Sequence, residues 1–140
     1  YRRARELDEW PGEAYEGSSV LAALKAGEER GWYAEYRWAF GLDDLILAVG
    51  WHGPAVLGIN WYEGMEATDG YAHVHVAGAV RGGHAIVCDA VDVDGRRLKL
   101  VNSWGAGWGW HGICWISYDD LDRLLHEQGE AAIPVTRVGA

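Results

Sequence analysis

Two apolar runs, "HAIVCDAVDV" from His84 and "RRLKLVN" ending at Asn102, flank Asp94-Gly95. That dipeptide between β-rich runs is a strong short-range hairpin signal. No other feature constrains the fold as tightly. An antiparallel pair turning there brings its two open ends together. The pattern therefore predicts that His84, opening one strand, and Asn102, closing the next, are neighbours across 18 positions of sequence.

Either residue alone reads as structural: a histidine at a strand start, an asparagine at a turn. Together they have a chemical use. A side-chain amide oxygen accepts one imidazole N–H and so fixes the tautomer and the ring orientation. A neutral orienter suits a histidine whose own partner is an anion such as a thiolate, because the imidazolium–thiolate pair is already neutral. The next residues, "SWGAGWG", supply Trp104, an apolar plate able to cover such a contact, and Trp108.

The rest of the chain reads as helices first and mostly antiparallel strands after, an α+β order. Residues 1–9 suit a short helix and "WPGEAYEG" a loop. "SSVLAALKAGEER" suits a helix capped by Ser18 or Ser19, with Val20, Leu21 and Leu24 on its apolar face and Gly31 at its end. "WYAEYRWAF" is extended or loop. "LDDLILAVGWHG" is a second helix, with acids in the first turn, and "AVLGIN" a buried strand after Pro54. The glycine-dotted stretch from Trp61 to Gly83 reads as a surface excursion carrying a short strand at Ala72–Val76. "ICWISY" is a strand, and "SYDDLDRLLHEQG" a helix opened by a capping box of Ser117 and Asp120. Pro134 assigns "AAIPVTRV" to an edge strand.

Composition narrows the partners. The chain has 140 residues, net charge −9 and a pI near 5.0, so it lacks the basic surface that nucleic acid demands. No apolar run approaches the length of a membrane span, and no signal peptide is visible. The size suits one domain over residues 1–140. Cys88 and Cys114 lie inside apolar strand patterns and read as free core thiols. His73 and His75 alternate and can share a face as metal ligands, with His52 and His111 as further donors, but no third ligand stands at a telling spacing. The acids of Asp89–Asp94 suggest a calcium loop that the turn already uses. Trp32, Trp38, Trp51 and Trp61 are candidates for an exposed contact surface.

"GGHAIVCDAV…LKLVNSWGAGWGWHGICWIS" resembles the papain-like cysteine peptidases, in which a histidine opens a strand as "GHA" and an asparagine closes the next as "NSWG". The resemblance runs from Pro54 to Ser117 and includes "GPAVLGIN". It implies a papain-like α+β fold: an antiparallel sheet domain plus helices. It implies that His84 is the general base and acid, Asn102 its orienter, Trp104 the shield of their hydrogen bond, Trp108 a wall on the leaving-group side, and Gly83 a point where substrate backbone passes. The substrate is then a peptide or protein, hydrolysed through an acyl-thioester, with no cofactor and no metal. "YEGSSV" also resembles a compact branch of the family seen in bacterial and phage-like sequences.

The family's nucleophile is a cysteine well upstream of the histidine, at the start of a long helix. No cysteine precedes His84, and Cys88 and Cys114 stand in the wrong order. Ser18 and Ser19, at a helix start, lie too near His84 in sequence and are explained by capping. The opening at Tyr1, in the middle of a helical pattern, predicts an N-terminally incomplete domain lacking the nucleophile helix, with the cysteine supplied from an upstream segment or a second chain. The alternative is a catalytically inactive papain-like module that binds or supports.

Overall fold

The computed structural model describes residues 1–9 and 17–136. The expected loop at "WPGEAYEG" falls almost wholly outside them. The chain packs as two compact units: Tyr1–Arg37 with the segment from Pro134 onward, and Trp38–Ile133.

The first unit contains helices α1 (Arg2–Leu7) and α2 (Val20–Glu29). Helix α2 starts just after Ser19, whose backbone is extended and whose hydroxyl accepts the Ala22 N–H at 3.1 Å. Capping is thus Ser19's own role. The helix ends ahead of Gly31 at φ +70°, a conformation glycine takes without a Cβ penalty. Ala4, Ala22 and Ala26 form a small apolar cluster between the two helices, and Arg3 clamps Glu29 at 2.7 Å.

The second unit holds the main core. Helix α3 (Leu42–Trp51) carries Asp43 and Asp44 in its first turn, where the helix dipole favours acids. It buries Leu45 and Val49. Strands β2 (Ala55–Tyr62), β3 (Val80–Asp92), β4 (Arg97–Val101) and β5 (Ile113–Ser117) form consecutive antiparallel ladders. With β1 (Glu35–Ala39) and β6 (Glu130–Val135) the strand order is β1-β6-β2-β3-β4-β5. Helix α4 (Tyr118–His126) is capped by Ser117, whose hydroxyl accepts the Asp120 N–H at 3.1 Å, and buries Leu121 and Leu124.

One face of this sheet is a continuous apolar surface. Ala55, Leu57, Ile59 and Trp61 alternate inward along β2. Cys88 on β3, Leu100 on β4 and Cys114 on β5 stand opposite one another in register, as do Leu98 and Ile116 on β4 and β5 and Ile86 with Leu57 of β2, all essentially buried. The period of two in these strands carries the whole pattern.

Several local expectations change. β3 begins at Val80, four residues before His84, because β2 runs on through Tyr62 and needs a partner for that length. The hairpin is a four-residue loop, Val93–Arg96, closed by Arg96 N–H to the Val93 carbonyl at 3.2 Å. Its positive φ falls on Arg96 and not on Gly95, while Asp92 accepts the Gly95 N–H and pairs with Arg97. No strand forms at Ala72–Val76; only His73 makes an isolated bridge to Trp115. Nor is that stretch a surface excursion, since Met65, Val74 and Val76 drop into the core. Its backbone is satisfied instead by β5, with Val74 N–H to the Trp115 carbonyl at 3.0 Å and Trp115 N–H to the Ala72 carbonyl at 2.8 Å. The capping box at Ser117 is one-sided, because the Asp120 carboxylate accepts the Val76 N–H at 3.3 Å. Finally, β6 is an interior strand between β1 and β2. Pro134 is tolerated there because the β2 ladder uses only Glu130–Ala132.

Candidate active site

His84 is the last side chain on the inward row Cys88, Ile86, His84 of β3, and pairs with Ile59 of β2. It stands where the apolar face gives way to solvent and is half-buried. Strand β4 stops pairing with β3 at Val87, which leaves the side of β3 nearer His84 open. Asn102 folds into that opening. Its N–H bonds the Gly112 carbonyl at 2.9 Å, which carries the β4–β5 register one residue past Val101 and Ile113 while β3 is no longer paired alongside.

The His84 Nε2–Asn102 Oδ1 distance is 3.0 Å. The Ser103 N–H also donates to Asn102 Oδ1, at 2.8 Å. A backbone donor on that atom fixes the amide orientation, so Oδ1 is an acceptor and His84 donates from Nε2. The tautomer follows: Nε2 carries the proton, and Nδ1 keeps the lone pair of a base. Asn102 is 9% exposed, and its Nδ2 has no hydrogen-bond partner among the described residues.

The loop after Asn102 builds the cover. Trp104 lies 5.0 Å from the His84 ring, centroid to centroid, and is half-exposed. Trp108 packs edge-on against Trp104 at 5.6 Å, and its Nε1 donates to the Glu66 carbonyl at 2.8 Å. A turn that carries two indoles must bend sharply. At Gly109 φ is +58°, and an added Cβ would collide with the Ile113 carbonyl oxygen. Gly83, exposed beside the histidine, pairs with Asn60 of β2.

The sequence reading missed Trp61. It was grouped with tryptophans of an exposed surface, yet it is 3% exposed and its ring lies 4.6 Å from that of His84, 5.4 Å from Trp104 and 6.1 Å from Trp108. The signal was present in the alternation Ala55, Leu57, Ile59, Trp61, which puts the indole on the inward face two residues beyond the partner of His84. Of the other three tryptophans, Trp32 and Trp51 are exposed and Trp38 is half-buried.

The remaining candidates have other partners. Arg97 Nη1 donates to His73 Nε2 at 3.0 Å, and His75 Nε2 bonds Asp69 Oδ2 at 2.9 Å. Among the described residues, no group of three or more metal-ligating side chains assembles. Lys99 pairs with Asp89 at 3.3 Å, and Arg97 with Asp92 at 2.8 Å. Cys88 and Cys114 are free and fully buried, and burial pushes both thiols up to about 12. Such thiols are not thiolates at neutral pH and are poor nucleophiles.

Known proteins carry the same architecture. No family model matches the chain. It is 31% identical over 107 residues to Cathepsin B-like cysteine proteinase 6 of Caenorhabditis elegans, covering 72% of this chain and 26% of that protein. By structure it is similar to xylellain, a cysteine protease from Xylella fastidiosa, with a TM-score of 0.61, 24% identity and coverage of 75% of this chain and 41% of that one. It is also similar to procathepsin B S9 from Trypanosoma congolense, with a TM-score of 0.59, 19% identity and coverage of 76% and 37%. The chain thus spans about a quarter of the curated relative and well under half of these two structures. The sequence match and the structural likeness point the same way: this chain has the papain-like fold, with the sheet and helices seen in these cysteine proteases.

Proposed function

We propose that the chain is the histidine–asparagine part of a papain-like peptidase domain, with His84 and Asn102 as two members of a Cys-His-Asn centre. The observation that carries this is the 3.0 Å contact from His84 Nε2 to an amide oxygen already held by the Ser103 N–H. It leaves Nδ1 as the basic nitrogen.

In this reading the chemistry is amide hydrolysis in two steps. Nδ1 takes the proton of a cysteine thiol, and the thiolate attacks the scissile carbonyl carbon. As the tetrahedral adduct collapses, the C–N bond breaks and His84 returns the proton to the leaving amine, giving an acyl-thioester. A water then attacks the acyl carbon with Nδ1 again as base. The C–S bond breaks, and the thiolate leaves beside the imidazolium. Asn102 keeps the ring from turning during both transfers, and Trp104 limits water competing for the His–Asn bond. Trp108 flanks the leaving group, and the substrate backbone passes Gly83. The substrate is a peptide or protein. The nucleophile comes from a cysteine outside residues 1–140, on the chain's own N-terminal segment or a second chain, and completes one domain.

The test compares peptide hydrolysis and peptide binding by the intact gene product, with and without His84→Ala. The expected result is that binding survives and hydrolysis is lost. If hydrolysis persists, His84 is not the base. If the intact wild type binds peptides without cleaving them, the chain belongs to an inactive binding module.

A further inference from the structure

The imidazole of His84 touches two indoles, and only one belongs to the loop after Asn102. The other, Trp61, comes from β2. We infer that Trp61 is a positioning residue for His84: a buried plate that, with Trp104, holds the ring in the plane where Nε2 meets Asn102. This rests on the His–Asn reading above and extends it to a residue outside that pair.

Three observations support it. Trp61 is diagonal to His84 across the β2–β3 ladder, a spacing that long aromatic side chains bridge. Its ring meets His84 at 4.6 Å and 60°, and Trp104 at 5.4 Å and 75°, edge-to-face arrangements that aromatic pairs favour. The ladder also breaks at this point. Trp61 faces Gly82, at φ +150°, while Tyr62 faces Val80, so Arg81 is extruded and pairs outward with Glu66 at 3.4 Å and Glu63 at 3.6 Å. A bulge of this kind re-aims the side chain beside it. Opposite the indole the bulge leaves glycine, with no side chain competing for the space against His84.

The indole also gives something up. Trp61 Nε1 is buried with no acceptor among the described residues. A buried donor without a partner is costly, and leucine or phenylalanine would fill an ordinary core position without that cost. Tryptophan here is accounted for by the breadth of its ring. Because Trp61 is 3% exposed, it acts through His84 and not on substrate.

The experiment uses the intact gene product and does not depend on turnover. The imidazole Nε2–H proton of His84 is followed by NMR, and its exchange with water is measured beside that of the Asn102 backbone amide. In the wild type the Nε2–H is observed and protected. In Trp61→Leu its exchange rises about fivefold or more, the scale of one lost aromatic pair, while the Asn102 amide keeps its protection. Trp61→Phe, with a smaller plate, gives a smaller rise and decides the matter alone should the leucine variant fail to fold. Unchanged exchange in the folded variants overturns the role of Trp61. Asn102→Ala separates the two ideas. If it leaves the Nε2–H protected, the His–Asn reading fails. If it exposes that proton and the Trp61 variants do not, only the present proposal fails.

Discussion

His84 and the pair His73/His75 are histidines of one unit, and their surroundings differ in charge. His73 accepts a hydrogen bond from the Arg97 guanidinium, and His75 bonds the Asp69 carboxylate. Both are tied to ions, and Asp69 also takes the backbone N–H groups of Tyr71 and His73. That cluster fixes a loop. His84 has a neutral amide on one nitrogen and indoles against its ring, with no ion pair among the described residues. A histidine already holding an ion has spent its charge, whereas one held by an amide and apolar plates is oriented and still free to pair with an anion. The proposed Cys-His-Asn centre uses a histidine of the second kind.

The largest expected contrast is in activity. His84→Ala in the intact gene product lowers kcat/KM for a peptide substrate by roughly 10²–10⁴-fold, the usual weight of a general acid–base. His73→Ala leaves it near the wild-type value and lowers thermal stability instead. Equal losses in activity would erase the distinction between the two settings.

Asn102→Ala comes next. Losing the orienter costs about 10²-fold in kcat/KM, the scale of a misplaced catalytic group. It also leaves the Ser103 N–H without its acceptor, at about 1–3 kcal/mol if that group stays dry. Both effects are expected together, from kinetics and from denaturant unfolding. A loss of stability with unchanged kinetics would make Asn102 a turn residue only.

His84→Leu sharpens the comparison in the opposite direction. It continues the apolar row of Ile86 and Cys88, so the melting temperature is expected to hold or rise while hydrolysis vanishes. Functional positions commonly trade stability in this way. A clear drop in melting temperature would show that the imidazole is itself a structural support.

The smallest effect belongs to Asp69. The backbone N–H of His73, the His75 ring and the Tyr71 N–H hold its carboxyl at about 2. Its value is lowered in the folded chain, so its stabilisation is complete above the ordinary carboxylate range and disappears as pH falls through about 2. Asp69→Asn is therefore slightly less stable than wild type at neutral pH, and the gap between their melting temperatures closes on acidification. A gap independent of pH would assign the effect to lost geometry and not to charge.

Much of this was legible in the chain because it is periodic or punctuated. The hairpin, a serine cap on α2, the acids opening α3 and the buried strand β2 are local patterns, and the hairpin by itself makes His84 and Asn102 neighbours. What was not legible depends on long-range pairing. The start of β3 is set by the length of β2, and the interior place of β6 by a strand, Glu35–Ala39, whose sequence has no clean period. The burial of Val74 goes with hydrogen bonds to β5, and that of Val76 with the Asp120 carboxylate of α4, long-range contacts that no local pattern encodes. Trp61 was misplaced because tryptophan near glycines suggests a surface, although its position in the β2 alternation pointed inward.

The most direct measurement treats the intact gene product with a thiol-directed epoxide inhibitor and maps the adduct by peptide mass spectrometry. Cys88 and Cys114, buried and held near 12, should remain unmodified in the native protein. The expected result is a single adduct on a cysteine outside these 140 residues, formed at a rate that falls sharply in His84→Ala and Asn102→Ala. An adduct on Cys88 or Cys114, no adduct at all, or labelling indifferent to His84 would contradict a Cys-His-Asn centre built on this pair.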